Sequence, residues 1–270
     1  MKNYGLENLI SQVRKNKSVN YTFDLSYHKI IWLSDNIFRI KNYEFPIVMG
    51  RKSKGGRRKK FLDWSGDDVE INLENRKNTE FKIIKTIYGL ANKNFTCGDR
   101  FVTFTPAEKI LDIQVANKYW DRFIKRMKRR YGDFKYLAVI QFQDEKADNH
   151  RVHYHVLMNL GFIEWEDLLQ IWGKGKGSVW ITDIYHVDNL GAYLLHYMGK
   201  TVGDARLYGN KAYLCSKGLK RPLEKNLTDD EYIEIEKKFD LKNRKPAMEK
   251  NYQTENYGLV DELEFNLKRG

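Results

Sequence analysis

Two apolar runs near the middle of the chain are separated by a polar segment of similar length. Residues 136–142 and 152–157 are rich in aromatic and branched side chains, whereas residues 144–151 have the composition of a loop. Two apolar runs joined by a polar connection are typical of a β-hairpin. The pattern therefore predicts two antiparallel strands in this part of the chain.

The second of these runs carries two histidines that share one face. His153 and His155 are two positions apart, and side chains at i and i+2 of a strand project from the same side. A loop centred near Ala147 would pair Gln141 with His153 on the neighbouring strand, and directly paired residues face the same side. The pattern thus predicts two imidazoles and one carboxamide side by side.

Further elements are predicted on both sides of the hairpin. Alternation and aromatic or branched clusters predict strands at 21–32, 37–49, 101–106, 179–184 and 212–216. Helical spacing of apolar residues predicts helices over 78–92, 113–131, 164–172 and 191–200. A capping box from Thr228 to Glu231 predicts a further helix over 232–239, and the mixed segment 257–267 is expected to fold back on the core. This order favours an α+β fold, an antiparallel sheet with helices packed on it.

The net charge of +12 changes this picture, because it points to a polyanionic partner. Neither terminus shows a basic amphipathic helix, so nucleic acid is favoured over a membrane surface. Residues 51–60 form a basic run that is either a solvated loop or an arm contacting phosphates. The candidate contacts are the cations of this run and of the predicted helix 113–131: Arg51, Lys52, Arg57, Arg58, Lys59, Lys60, Arg122, Arg126, Arg129 and Arg130.

Other classes of protein are excluded or disfavoured by the sequence. No apolar run is long enough to span a membrane and the first residues lack a secretory signal, so a cytoplasmic protein in a bacterial host is expected. Cys97 and Cys215 form no CxxC motif and receive no role. The glycine-rich segment 173–178 lacks the spacing of a P-loop, which argues against an ATP-driven motor.

The histidine pair with an oxygen ligand suits a divalent metal ion. Two neutral imidazoles and a carboxamide form an open site for Mn²⁺ or Mg²⁺, and also for Zn²⁺, with positions left for substrate oxygens. Gln141 is the expected third ligand, but Gln143, Asp144 and His150 are competitors.

Three polar side chains also share a predicted stripe on the helix 191–200. Tyr193, Tyr197 and Lys200 have the spacing i, i+4, i+7. The stripe alone is compatible with simple amphipathic packing. Next to a metal, a tyrosine phenol could attack a phosphate if the metal and Lys200 stabilise the developing charge.

Three motifs in this order resemble those of the HUH endonucleases, and among them the rolling-circle replication initiators of bacterial plasmids and phages. They are FVTFT at 101–105, HYH at 153–155 and YLLHYMGK at 193–200. The resemblance covers about residues 94–222. It implies a ferredoxin-like or RRM-like core with a sheet of about five strands, the histidine pair on a central strand and the nucleophilic tyrosine on a helix facing it.

The resemblance also implies roles for individual residues. His153 and His155 would bind the metal, with Gln141 at a position where relatives often carry Glu. Tyr197 is expected to be the nucleophile, with Tyr193 as a second nucleophile or a positioning residue. His196 stands where a lysine is often found.

The expected function is nicking and rejoining of single-stranded or hairpin origin DNA through a 5′-phosphotyrosine, with host helicase and polymerase as partners and the protein as a monomer or homodimer. The expected domains are a basic accessory region over 1–93, the nicking domain over 94–222 and a tail over 223–270 that packs on the core. A transposase or mobilisation relaxase of the same superfamily is an alternative, and so is a non-catalytic nucleic-acid-binding module.

Overall fold

The computed structural model describes residues 25–48, 68–107, 110, 112–143, 151–173, 177–207 and 210–269. These residues form an α+β fold with two antiparallel five-stranded sheets and five α-helices, which confirms the predicted class. The chain divides into two compact units. One spans Phe61–Arg221, and the other combines Met1–Lys60 with Pro222–Gly270. We call these the inserted unit and the composite unit.

The strands, in chain order, are β1 (Leu25–Trp32), β2 (Ile37–Val48), β3 (Arg100–Pro106), β4 (Tyr136–Gln143), β5 (Arg151–Met158), β6 (Gly177–Thr182), β7 (Tyr213–Cys215), β8 (Leu223–Leu227), β9 (Met248–Thr254) and β10 (Gly258–Asn266). The α-helices are α1 (Asp68–Asn94), α2 (Ile113–Tyr131), α3 (Trp165–Trp172), α4 (Leu190–Met198) and α5 (Asp229–Phe239). Two short 3₁₀ segments follow α4, at Gly199–Gly203 and Ala205–Leu207.

The inserted unit is built on a sheet with the order β6-β3-β5-β4-β7, in which every neighbouring pair is antiparallel. The predicted hairpin is confirmed as β4 and β5, and β5 is the middle strand. Along β5, successive side chains alternate between the two faces of the sheet. One face therefore carries His153 and His155, and the other carries Val152 and Tyr154.

Helix α2 packs on the face opposite the histidines. The ring of Trp120 stacks 4.9 Å from Tyr154, and that of Phe123 lies 4.5 Å from Phe104. The helix begins at the predicted residue because Asp112 caps it, its carboxylate accepting hydrogen bonds from the amides of Gln114 and Val115. This aromatic layer makes one face of the sheet a packed core and leaves the other face for the site.

The composite unit contains the second sheet, in the order β8-β1-β2-β10-β9. Helix α5 lies on one side of it, over a core that includes Phe38 and Phe265. The predicted capping box is confirmed: the Thr228 hydroxyl accepts from the Glu231 amide, and the Glu231 carboxylate accepts from the Thr228 amide. On the other side, Arg39, Lys41, Glu262 and Glu264 form a nearly buried network of ion pairs.

The units differ from the domain boundaries drawn from the sequence. Helix α1 belongs to the inserted unit, whereas the predicted boundary assigned residues up to 93 to an accessory region. The tail was expected to pack on the core of the nicking domain, but its strand β10 pairs with β2 and so completes the sheet that β1 and β2 begin. Within the described residues, no helix combines the length and apolar character needed to cross a bilayer.

Candidate active site

The histidine pair lies between two strands that supply its polar neighbours. The predicted register is confirmed, since Gln141 of β4 pairs with His153 of β5. On the other side, β3 pairs Thr103 with His155. The Thr103 hydroxyl is 3.0 Å from Nδ1 of His155, and the Thr105 hydroxyl is 3.0 Å from Nδ1 of His153. Each imidazole is thus held at Nδ1, and its Nε2 lies on the other side of the ring.

Gln141 is hydrogen-bonded to the second histidine. Its Oε1 lies 2.7 Å from Nε2 of His155. A carboxamide oxygen only accepts hydrogen bonds, so Nε2 carries the proton and Nδ1 accepts from the Thr103 hydroxyl. The same Nε2 and Oε1 atoms are two of the three expected metal-binding atoms, and they are already within contact of each other.

Burial keeps both imidazoles neutral. His155 is only 5% exposed, and this burial, helped by the charge of His153, lowers its pKa from 6.5 to about 3. Burial also lowers the pKa of His153, and the nearby Arg151 guanidinium adds to the effect. A neutral imidazole is the form that binds metal ions, so both side chains are ready to act as ligands at neutral pH.

The two tyrosines of α4 lie directly against the histidine pair. The ring centroid of Tyr197 is 4.4 Å from that of His155. The two phenol oxygens of Tyr193 and Tyr197 are 3.0 Å apart, within hydrogen-bonding distance. The buried ring of Phe101 lies 5.0 Å from each tyrosine ring and supports both. The sequence-predicted tyrosine and histidine motifs therefore meet in one place.

Tyr193 stays a neutral phenol. Burial is the main cause of its raised pKa, and the hydrogen bond and charge interaction with Tyr197 act in the same direction. A neutral phenol can donate its proton in a hydrogen bond. Tyr193 is therefore suited to donate a hydrogen bond to Tyr197.

The tyrosine helix is anchored at its first turn by a polar cluster on α1. The amide of Gly191 donates to Oδ1 of Asn92, and Nδ2 of Asn92 donates to Oδ1 of Asn189. Nδ2 of Asn189 in turn donates to the Tyr88 hydroxyl at 2.6 Å. Asn189 also caps α4 by accepting from the Ala192 amide. Sequence reasoning identified the cap but missed Asn92, which lies about a hundred residues earlier in the chain.

The predicted extent of the tyrosine helix is wrong at its end. Helix α4 stops at Met198, because Gly199 adopts a left-handed φ of 36° and a 3₁₀ turn follows. The α-helical stripe therefore holds for Tyr193 and Tyr197 but does not extend to Lys200. The side chain of Lys200 lies outside the described residues.

The predicted DNA-binding cations do not converge on the histidines. Arg122, Arg129 and Arg130 are exposed on α2, which packs on the opposite face of the sheet. Arg126 instead donates to the carbonyls of Ile171 and Trp172, so it closes the last turn of α3. The basic run with Arg51, Lys52, Arg57, Arg58, Lys59 and Lys60 lies outside the described residues.

The donor set at the site fits a divalent ion. Two neutral imidazoles and a carboxamide oxygen are ligands that Mn²⁺, Mg²⁺ and Zn²⁺ accept. Of the competing ligands, Gln143 pairs with Arg151 one step further along the strands, and Asp144 and His150 lie outside the described residues. In the described part of the chain, no group of three or more His, Cys, Asp or Glu side chains is arranged to hold a metal.

Thr103 and Thr105 are the site residues that sequence reasoning left without a role. They belong to the FVTFT strand and share the parity that the histidines have on β5. Hydroxyls that orient the outer nitrogen of a metal-binding histidine are a common feature of such sites. Their i, i+2 spacing, matching that of the histidines, was the available signal.

Comparison with known families places this site within a replication protein family model. Residues 99–202 match the model of a family described as replication-associated proteins of the ORF2 type. The match contains the β3 threonines, the histidine pair and both α4 tyrosines, and it supports a role in DNA replication. No curated protein and no solved structure shows significant similarity to the chain.

Proposed function

We propose that this chain is a replication initiator of the HUH type, which nicks and rejoins single-stranded DNA at an origin through a covalent 5′-phosphotyrosine. The observation that carries the proposal is the contact between Tyr197 and His155, whose ring centroids are 4.4 Å apart. It brings a candidate nucleophile to a candidate metal-binding pair. The match of residues 99–202 to a replication-associated family supports the same function.

The metal site would consist of His153, His155 and Gln141. A bound Mn²⁺ or Mg²⁺ would supply Lewis-acid polarisation of a phosphate oxygen. Thr103 and Thr105 would hold the two rings at Nδ1, so that the Nε2 atoms remain available. Gln141 would exchange its hydrogen bond with His155 for a ligand bond.

The chemical step is a transesterification that needs no oxidant or external energy. The Tyr197 Oη would form a bond to phosphorus as the bond between phosphorus and the 3′ oxygen breaks. The phenol loses its proton, and the leaving 3′ oxygen gains one and departs as a hydroxyl. Tyr193 would donate a hydrogen bond to the developing phenolate of Tyr197, since its own proton is retained.

Rejoining is the reverse of this reaction. The phosphotyrosine conserves the energy of the cleaved phosphodiester, so an incoming 3′ hydroxyl can displace Tyr197 and restore a DNA strand. Until then, the freed 3′ hydroxyl can prime synthesis by a host polymerase. A host helicase would supply strand separation.

The test uses a pool of single-stranded DNA with random sequence, because the recognised site is not required in advance. The full chain is incubated with the labelled pool and Mn²⁺, and protein-linked DNA is isolated on a denaturing gel. We expect adducts that are absent with excess EDTA and absent in Tyr197→Phe. Adducts that persist in the double variant Tyr193→Phe, Tyr197→Phe would overturn the assignment of the nucleophile.

Sequencing the DNA retained in the adducts addresses the related alternatives. A transposase or relaxase of the same superfamily would form the same linkage, but its selected site would match a transposon end or a transfer origin. A binding module would retain DNA under native conditions and form no adduct at all.

A further inference from the structure

Trp180 is the most exposed tryptophan side chain in the described part of the chain, and it lies on the same face of the sheet as the candidate site. Its side chain is 71% exposed. In β6, Val179 is buried and Trp180 points the other way. Trp180 pairs with Thr103 of β3, and Thr103 pairs with His155 of β5. Directly paired residues share a face, so the three side chains form one row across the sheet.

We propose that Trp180 is a stacking platform for a base of the single-stranded DNA that enters this site. The inference rests on the proposed function for the identity of the DNA, and it adds a binding subsite to it. An indole ring has a large flat surface, and base stacking on aromatic side chains is how proteins hold single strands with little sequence preference. No other role for an exposed indole at this position is required by the packing of β6.

The spacing of the row suits a single continuous strand. Neighbouring strands lie about 4.8 Å apart, so the backbones at Trp180 and His155 are separated by roughly 10 Å. A base resting on Trp180 therefore belongs to a nucleotide near the phosphate at the histidines. Because β6 is an edge strand, the outer side of Trp180 is not covered by another strand of the sheet.

The chain offers a matched control on the other side of the same sheet. Phe162 is 75% exposed, and the Arg100 guanidinium lies 5.3 Å from its ring. Arg100 alternates with Phe101 and Thr103 along β3, so it projects from the face opposite the histidines. Phe162→Ala removes a similarly exposed aromatic ring from a different face.

The experiment measures binding in the Tyr197→Phe background, so that no covalent step interferes. The probe is a fluorescein-labelled oligo-dT of about 16 nucleotides, the upper end of site sizes for single-strand binders. We expect Trp180→Ala to weaken binding by roughly 5- to 150-fold, the contribution of one stacked base. Trp180→Phe should recover part of the loss, and Phe162→Ala should bind like the parent. Unchanged binding by Trp180→Ala would overturn the proposal.

A second probe separates stacking from charge. With an abasic oligonucleotide of the same length, Trp180→Ala and the parent should bind equally, because no base remains to stack. An equal loss on both probes would contradict base stacking. The wild-type adduct assay is run in parallel: adducts with unaffected binding by Trp180→Ala refute only the stacking platform. Weakened binding without wild-type adducts refutes the nicking function and leaves Trp180 as part of a binding module.

Discussion

The phenol oxygens of Tyr193 and Tyr197 are 3.0 Å apart, which joins two candidate nucleophiles by one hydrogen bond. Only one of them lies against the histidine pair, because Tyr197 contacts His155 directly. The other has its pKa raised, mainly by burial, and keeps its proton. The arrangement assigns attack to Tyr197 and hydrogen-bond donation to Tyr193.

Separate substitutions of the two tyrosines should therefore have unequal effects. Tyr197→Phe is expected to abolish the DNA adduct. Tyr193→Phe removes a hydrogen bond to a charged atom, which is worth about 1.5–3 kcal/mol, so adduct formation should slow by roughly 10- to 150-fold. Single-turnover rates on denaturing gels measure both, and exposed Tyr185→Phe serves as the control. Adducts that survive in Tyr197→Phe but vanish in Tyr193→Phe would reverse the two roles.

The β3 hydroxyls should control metal affinity without controlling the fold. Thr103→Val and Thr105→Val keep the side-chain shape but remove the hydrogen bond to Nδ1 of each histidine. Loss of such an orienting partner typically weakens metal binding by about 10- to 100-fold. Isothermal titration with Mn²⁺ measures the change. Thr182→Val, on the neighbouring strand β6, is the matched control, and equal Mn²⁺ affinity in all three variants would rule out the orienting role.

Acid should destabilise the metal-free protein through His155. The unfolded chain binds a proton there below about pH 6.5, whereas the folded chain excludes it down to about pH 3. The free energy of unfolding therefore falls as the pH falls from 7 to 5, by about 1–2 kcal/mol from this residue, and does not change above pH 7. Urea unfolding in EDTA at both pH values, with His155→Gln as the comparison, isolates the effect. The same acid loss in both proteins would contradict it.

The ion-pair network of the composite unit should be sensitive to loss of Glu262. Burial opposes ionisation of this carboxyl, but hydrogen bonds and charges from Lys41 and Arg39 outweigh it and lower its pKa. Glu262→Gln would leave Lys41, bonded at 2.7 Å, without its carboxylate. Breaking such a nearly buried pair costs about 3 kcal/mol of unfolding free energy. Urea unfolding against the exposed Glu255→Gln measures it, and equal stability of the two variants would show that the pair contributes little.

The anchor of α4 on α1 leaves no room for a side chain at Gly191. A Cβ there would lie 2.5 Å from Nδ2 of Asn92 and 2.6 Å from the Tyr88 carbonyl oxygen. Gly191→Ala should therefore cost about 1–3 kcal/mol and displace the tyrosines from the histidines. Thermal unfolding and adduct yield measure the two effects. Gly161→Ala, which meets no atom within 4 Å, should leave both unchanged. A full adduct yield from Gly191→Ala would show that α4 tolerates the shift.

The part of the site that the sequence predicts is the part that obeys a short period. His153, His155 and Gln141 follow from the two-residue repeat of a strand and the length of one loop, and the register agrees. The end of α4 was missed because Gly199 can continue a helix or leave it, and its φ is settled by the packing of the following turn. Asn92 was missed because no local pattern relates it to Gly191.

The outer strands show the same limit in the fold. Strand β9 reads MEKNYQT, with few apolar residues, and its composition alone does not predict a strand. It forms because it pairs with β10 and because Tyr252 joins the ion-pair network through Lys41 and Glu262. Such pairing between distant segments depends on the assembled sheet, so it is not encoded in any short stretch of sequence.

The split of the composite unit has a consequence for biosynthesis. Strands β1 and β2 leave the ribosome early, but their partners β8 and β10 are made only after the whole inserted unit. The catalytic unit can thus complete its own sheet while the earlier hairpin still has two unpaired edges. We expect ribosome-bound chains that end shortly after residue 221 to protect the histidine hairpin from protease before they protect β1 and β2.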